Sequence, residues 1–232
     1  MNDPLGALEG GLVVSVQAPA GSPLVPTTHI VAIARAAEAG GAVGLRAEGA
    51  ADVAALKAAL ALPVIGLKKR RAPGSDVYIT PQLHDARELA GAGADLIALD
   101  ATARPRPGGE RVAELIAAIA GQLERPVLAD VDSLEVAVAA RRAGAAAVAT
   151  TLAGYTGANS APAEPDLELV SRLAAELDCP VLAEGRYASP ESVREALGRG
   201  AHAVVVGSAI SDPLALTRSF AAATRRPGDP PR

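Results

Sequence analysis

Two kinds of short apolar run alternate along the chain. One kind opens on proline: PVIGLKK from Pro63, PVLAD from Pro126 and PVLAE from Pro180. The other follows a glycine and small residues: AGGAVGLR ending at Arg46, GAGADLIALD at Asp100, AGAAAVATT at Thr151 and GRGAHAVVVGS at Ser208. Gly40, Gly93, Gly144 and Gly200 head this second set roughly fifty residues apart, a repeat long enough for two strand-helix units. The runs predict strands near 12–17, 42–46, 63–69, 95–100, 126–130, 145–150, 180–184 and 202–207. Helical patterns fall between them, near 28–39, 50–60, 82–91, 109–121, 133–143, 166–177, 190–199 and 212–223. Alternation on this scale favours parallel strands joined by crossover helices, and eight units point to an α/β fold of the closed (βα)8 barrel type. An open doubly wound sheet would carry G-x-G-x-x-G after its first strand, and that fingerprint is missing. Ser133-Leu134-Glu135, Ser189-Pro190-Glu191 and Ser211-Asp212-Pro213 supply capping residues, first-turn proline or early acid at helix starts.

Composition narrows the picture. A chain of 232 residues, 50% hydrophobic, is long enough for one barrel domain, expected over 1–224, followed by a Pro/Gly-rich tail over 225–232. With 2% aromatic residues the core must be filled by Ala, Val, Leu and Ile, and base stacking has few candidates. A net charge of −4 argues against a nucleic-acid surface. Cys179 stands alone and no Cys or His spacing suggests zinc, so a reducing cytoplasm and no metal are expected. Residues 1–11 lack a signal-peptide pattern and no stretch reaches membrane-spanning length, so no membrane association is expected. Two segments, 72–80 and 154–165, are longer than barrel connections need; the first reads as a turn plus a short extra strand, and both are candidate lids.

The polar residues of the strands gather at their carboxyl ends: Gln17, Arg46, Lys69, Asp100, Asp130, Thr150 with Thr151, and Glu184. In a barrel these ends form one mouth. Burial would lower a lysine and raise a glutamate toward neutrality, fitting both for proton exchange with a substrate. The same charges would also serve as a self-neutralising salt-bridge ring. Lys68 and Lys69 face opposite sides of their strand, Lys69 with Ile65 and Leu67, Lys68 with Val64 and Gly66, which leaves the choice between them open. Arg70 and Arg71 beyond them read as solvated loop charges. Gly185 and Arg186, with Gly207 and Ser208 after the eighth strand, resemble the place where barrels hold phosphate. Asp212 is an awkward neighbour for an anion and reads as a helix cap. His29, His84 and His202 share no ligand spacing, and no nucleophilic triad is visible.

The ordered set VSVQAP, GGAVGLRAEG, PVIGLKKR, DVYITP, IALDATARPRP, LADVDS, TTLAGYTG, LAEGRY and VVVGSAISDP resembles the bacterial N-acetylmannosamine-6-phosphate 2-epimerases over about 10–220. The resemblance implies a TIM barrel that interconverts N-acetylmannosamine 6-phosphate and N-acetylglucosamine 6-phosphate in sialic acid catabolism, without cofactor or metal, as a homodimer. It selects Lys69 over Lys68 and pairs it with Glu184 for catalysis. It matches Gln17, Arg46 and Asp130 to the family's other active-site positions. Where the family commonly reads GGAITRP, this chain has Gly207-Ser208-Ala209-Ile210-Ser211-Asp212-Pro213, so Asp212 replaces an arginine that would help hold phosphate. A Schiff-base lyase using Lys69 and a noncatalytic phosphosugar-binding barrel are the competing readings; borohydride trapping marks the first and binding without turnover the second.

Overall fold

The computed structural model describes residues 3–157 and 163–224; the predicted tail at 225–232 and the middle of the 154–165 loop lie outside the described residues. Eight parallel strands close into a barrel in sequence order: β1 (Leu12–Ser15), β2 (Gly44–Glu48), β3 (Val64–Leu67), β4 (Leu96–Asp100), β5 (Val127–Asp130), β6 (Ala147–Ala149), β7 (Val181–Glu184) and β8 (Ala203–Val206). β8 pairs back onto β1, with Val13 opposite Val205. Between the strands run α1 (Thr27–Ala39), α2 (Ala50–Ala59), α3 (Leu83–Gly91), α4 (Val112–Gln122), α5 (Leu134–Arg142), α6 (Leu167–Glu176) and α7 (Pro190–Gly198). After β8 come the short α8 (Ser208–Ser211) and α9 (Pro213–Ala223). This is the (βα)8 TIM barrel expected from the alternation of runs.

Strand side chains divide into two layers because parallel strands covered by helices are buried on both faces. Val13, Ile65, Leu67, Leu96, Ala98, Leu128, Ala147, Ala149, Leu182, Ala203 and Val205 fill the barrel. Their neighbours in sequence, including Val14, Leu45, Val64, Ile97, Val127 and Val148, pack outward with the helices. Ser133, Asp166, Ser189 and Asp212 cap α5, α6, α7 and α9, each accepting a hydrogen bond from a first-turn backbone N–H. Three of the repeat glycines, Gly93, Gly144 and Gly200, adopt φ between 91° and 104° where helix turns into strand. In the first repeat that conformation falls on Gly41 (φ 97°), one residue after Gly40.

Three local features depart from expectation. Residues 6–8 form a 3-10 turn that places Leu8, fully buried, among the residues filling the barrel. Gly44 leaves the room for it, since a Cβ there would overlap Leu8 Cδ2. The 72–80 segment forms no extra strand; it makes the isolated bridges Lys69–Ile79 and Ala72–Ser75, with Arg70 N–H donating to Tyr78 O (2.8 Å) and Thr80 N–H to Lys68 O (2.7 Å). A side chain adds to this backbone bonding: the Thr80 hydroxyl accepts from Lys68 N–H (3.1 Å) and donates to Ala98 O (2.6 Å). Arg70 is not a free loop charge: it forks onto buried Asp85 with two 2.8 Å bonds, and Arg71 covers the Tyr78 ring at 4.8 Å.

Candidate active site

The alternation that puts Val13, Leu128 and Leu182 inside the barrel puts Ser15, Asp130 and Glu184 inside too, one pleat nearer the carboxyl end. Arg46 lies deeper than expected, because β2 runs on past it to Glu48. It is among the largest fully buried side chains in the protein. Its Nη1 donates to Asp130 Oδ1 (3.0 Å) and its Nη2 to Asp130 Oδ2 (2.6 Å), a bidentate fork. Nη1 also donates to Glu184 Oε2 at 2.5 Å. Burial opposes the guanidinium charge, but Asp130 and Glu184 outweigh it and hold Arg46 above its ordinary range. An unpartnered charge at this depth would cost several kcal/mol, so the network is all-or-none.

Thr150 and Thr151 occupy a 3-10 turn directly after β6, where successive residues point about a third of a turn apart. Thr150 therefore meets β7 backbone: its hydroxyl donates to Glu184 O (2.9 Å) and accepts from Glu184 N–H (3.0 Å). Thr151 faces inward, its hydroxyl lying 2.7 Å from Asp130 Oδ1 and 2.9 Å from Glu184 Oε2. One threonine fixes the main chain of Glu184 and the other fixes its carboxyl group.

Above this floor opens a cavity of about 640 Å³, of small-ligand size. Gln17, Lys69, Glu184, Gly185, Arg186, Gly207 and Ser208 line it, whereas Arg46, Asp130 and Thr150 are not among its lining residues. Lys68 is not in the lining either. Lys69 and Glu184 come from β3 and β7, which lie diametrically across the closed barrel. Desolvation, seconded by Arg46, pushes the Lys69 ammonium below its ordinary range against the pull of Glu48, Glu184 and Asp130. Desolvation likewise pushes the Glu184 carboxyl up, with Asp130 adding to it and Arg46, Thr151 and Lys69 opposing. Both shifts favour the neutral partners, an amine and a carboxylic acid. Gln17 Nε2 donates to Ser15 Oγ (2.8 Å), leaving the buried Gln17 Oε1 as an unpartnered acceptor.

At the other end of the cavity the chain turns through Gly185 (φ 111°) and Arg186 (φ 63°). Arg186 Nε donates to Glu164 O (2.7 Å), Nη1 donates to Ala153 O (2.8 Å), and the guanidinium covers the Tyr155 ring at 5.1 Å. Asp212 lines the same cavity and acts as the expected cap, accepting from Ala215 N–H at 3.0 Å. Sequence reasoning passed over Tyr78 and Tyr155 here, weighed Ser15 only as a nucleophile without a His partner, and gave Thr150 the weight that Thr151 carries. The available signal was rarity: each of the chain's 3 tyrosines, Tyr78, Tyr155 and Tyr187, lines this cavity. Among the described residues no group of three His, Cys, Asp or Glu could hold a metal ion. His29 and His202 bond the backbone oxygens of Pro23 and Leu5.

A (βα)8 barrel with a lysine and a glutamate facing each other across its carboxyl-end mouth has the arrangement that enzymes of proton transfer use. The chain belongs to the family described as putative N-acetylmannosamine-6-phosphate epimerase, whose model matches residues 30–226, and is accordingly an isomerase. A relative named putative N-acetylmannosamine-6-phosphate 2-epimerase, from Thermosynechococcus vestitus, is 50% identical over 88% of this chain and 89% of its own. One of the same name from Cutibacterium acnes is 44% identical over 95% of this chain and 96% of its own. The solved N-acetylmannosamine-6-phosphate 2-epimerase from Clostridium perfringens superposes with a TM-score of 0.92 at 38% identity, covering 96% of both chains. A thiamine phosphate pyrophosphorylase from Pyrococcus furiosus, at 18% identity and a TM-score of 0.60, shares the fold alone.

Proposed function

We propose that this protein interconverts N-acetylmannosamine 6-phosphate and N-acetylglucosamine 6-phosphate, with Lys69 and Glu184 as its proton-transfer pair. The observation that carries this reading is their placement on opposite walls of one cavity, both displaced toward the neutral form. Inversion at C2 requires a proton to leave one face of the open-chain sugar and another to arrive on the opposite face. The Lys69 amine takes the C2 proton, the C–H pair moves into a C1–C2 double bond, and the aldehyde oxygen takes the negative charge. The Glu184 carboxyl then delivers its proton to C2 from across the cavity. The pair is left as ammonium and carboxylate, which is the starting state for the reverse reaction. One shared proton therefore serves both directions.

Arg46 and Asp130 act from beneath, holding Glu184 in place and supplying positive potential under the developing enolate. Gln17 Oε1 offers an acceptor suited to the acetamido N–H. Gly185, Arg186, Gly207 and Ser208 form the end that takes the phosphate, and Thr150 sets the backbone on which Glu184 rides. A phosphorylated amino sugar as substrate supports a cytoplasmic role in sialic acid catabolism. A homodimer is supported by α9: none of its residues is buried, and Leu216 and Phe220 are 37% and 74% exposed.

The test is incubation with N-acetylmannosamine 6-phosphate in D2O, followed by NMR at C2. Deuterium at C2 and appearance of the second epimer are expected, and Lys69→Ala should lose both. An unsubstituted protein that gives neither product nor exchange overturns the assignment.

A further inference from the structure

Building on that epimerase reading, we propose that Tyr155 is a specificity-determining positioning residue: it holds the Arg186 guanidinium away from Asp212 and so keeps the cavity's anion end open for phosphate. The charged side chains lining the cavity are Lys69, Arg186, Glu184 and Asp212. Lys69 belongs to the chemistry on β3, so Arg186 is the cation available to the substrate's remote end. Asp212 lines that same space, and a carboxylate there competes with phosphate for any guanidinium free to reach it. Yet among the described residues Arg186 is paired with no carboxylate.

Three contacts explain why. The Arg186 side chain leaves a backbone at φ 63°, donates from Nε to Glu164 O and from Nη1 to Ala153 O, and lies over Tyr155. Those bonds use hydrogens on Nε and Nη1, and among the described residues the Nη2 hydrogens remain for a ligand. The ring supplies the third constraint, covering one face of the cation. Tyr155 is itself fixed, its N–H bonded to Leu152 O at 3.0 Å within the turn that carries Thr151. It is 53% exposed, so its ring contributes little to the core.

The experiment compares the unsubstituted protein with Tyr155→Phe, Tyr155→Ala and the double variant Tyr155→Ala/Asp212→Asn. Each is titrated calorimetrically with N-acetylglucosamine 6-phosphate and assayed for epimerisation. Removing a partly exposed cation–π contact predicts that Tyr155→Ala weakens binding and raises KM about fivefold, with kcat within about twofold of the unsubstituted value. Tyr155→Phe keeps the ring face and should bind normally. The double variant should regain affinity, because the competing carboxylate is gone. Unchanged affinity in Tyr155→Ala, a fall in kcat rather than a rise in KM, or no recovery in the double variant would each overturn the proposal. An unsubstituted protein that binds the sugar phosphate without turning it over sinks the epimerase reading alone, and the binding comparison still decides the role of Tyr155. No binding by the unsubstituted protein overturns both.

Discussion

Thr151→Val offers the sharpest probe of the acid-base pair, because it removes one hydroxyl and keeps the side-chain shape. That hydroxyl has a single proton and stands between Asp130 Oδ1 at 2.7 Å and Glu184 Oε2 at 2.9 Å. A hydrogen bond to a charged group contributes about 1.5–3 kcal/mol, so Glu184's share of this divided bond is about 1 kcal/mol. Losing it makes Glu184 hold its proton more tightly and raises its pKa. The sign follows from the structure: Thr151 opposes the upward push that burial gives this carboxyl. In the proposed mechanism the active form is the pair carrying one proton, so the rate is bell-shaped in pH and both limbs belong to the coupled pair rather than to either residue alone. The variant should carry the profile to higher pH, moving at least one limb up and neither limb down. The assay is kcat/KM against pH, taken as the ratio of variant to unsubstituted protein so that titration of the substrate phosphate cancels. A profile in which neither limb moves up, or either moves down, would refute the role given to Glu184.

Other perturbations separate scaffold from chemistry. Arg46→Ala leaves Asp130 and Glu184 buried without their cation and should lower unfolding free energy by about 3–5 kcal/mol, read from urea denaturation. Gly185→Ala forces a side chain into φ 111° at a cost of about 1–3 kcal/mol. Because Gly185 lies between Glu184 and Arg186, this variant should impair kcat and KM together in steady-state assays. Leu8→Ala opens a cavity inside the barrel, far from the mouth, and should cost about 2–5 kcal/mol by calorimetry while leaving kcat at low temperature unchanged.

The barrel was legible because each strand is a short apolar run and each helix an apolar stripe, and because the glycine repeat marks where one becomes the other. Side-chain depth was less legible. Arg46 looked like a strand end, yet Ala47 and Glu48 extend β2, and only the register against β3, with Glu48 opposite Leu67, shows how far. The Lys68/Lys69 ambiguity has a related cause: in a strand buried on both faces, Val64 and Ile65 are equally apolar and cannot say which side is the barrel interior. Thr150 and Thr151 exchange their expected weights because β6 gives way to a 3-10 turn, where period-two reasoning stops. The Arg70–Asp85 fork joins a loop residue to the first turn of α3 and carries no local signature. Asp212, read from its place before Pro213, caps α9 as local chemistry suggested.

The charge count of the mouth explains why one carboxylate can be structural and its neighbour chemical. Arg46 is a single buried cation facing two carboxylates, Asp130 and Glu184. Asp130 holds both ends of the guanidinium fork, has no exposed surface and takes most of that compensation. Glu184 receives only a shared Nη1 bond, and its side chain is 14% exposed, at the edge of the cavity. Its negative charge is therefore only partly balanced from below, and the balance must come either from a proton on its own oxygen or from an ammonium across the cavity at Lys69. The two arrangements contain the same atoms and the same net charge, and differ only in which wall holds the proton. In the proposed mechanism, moving that proton by way of the substrate's C2 converts one arrangement into the other, and the incomplete neutralisation of Glu184 lets the pair run in both directions. A second cation beside Glu184 would fix the carboxylate state, and a more buried Glu184 would fix the acid. Its position at the carboxyl end of β7, just above Arg46, lies between those extremes.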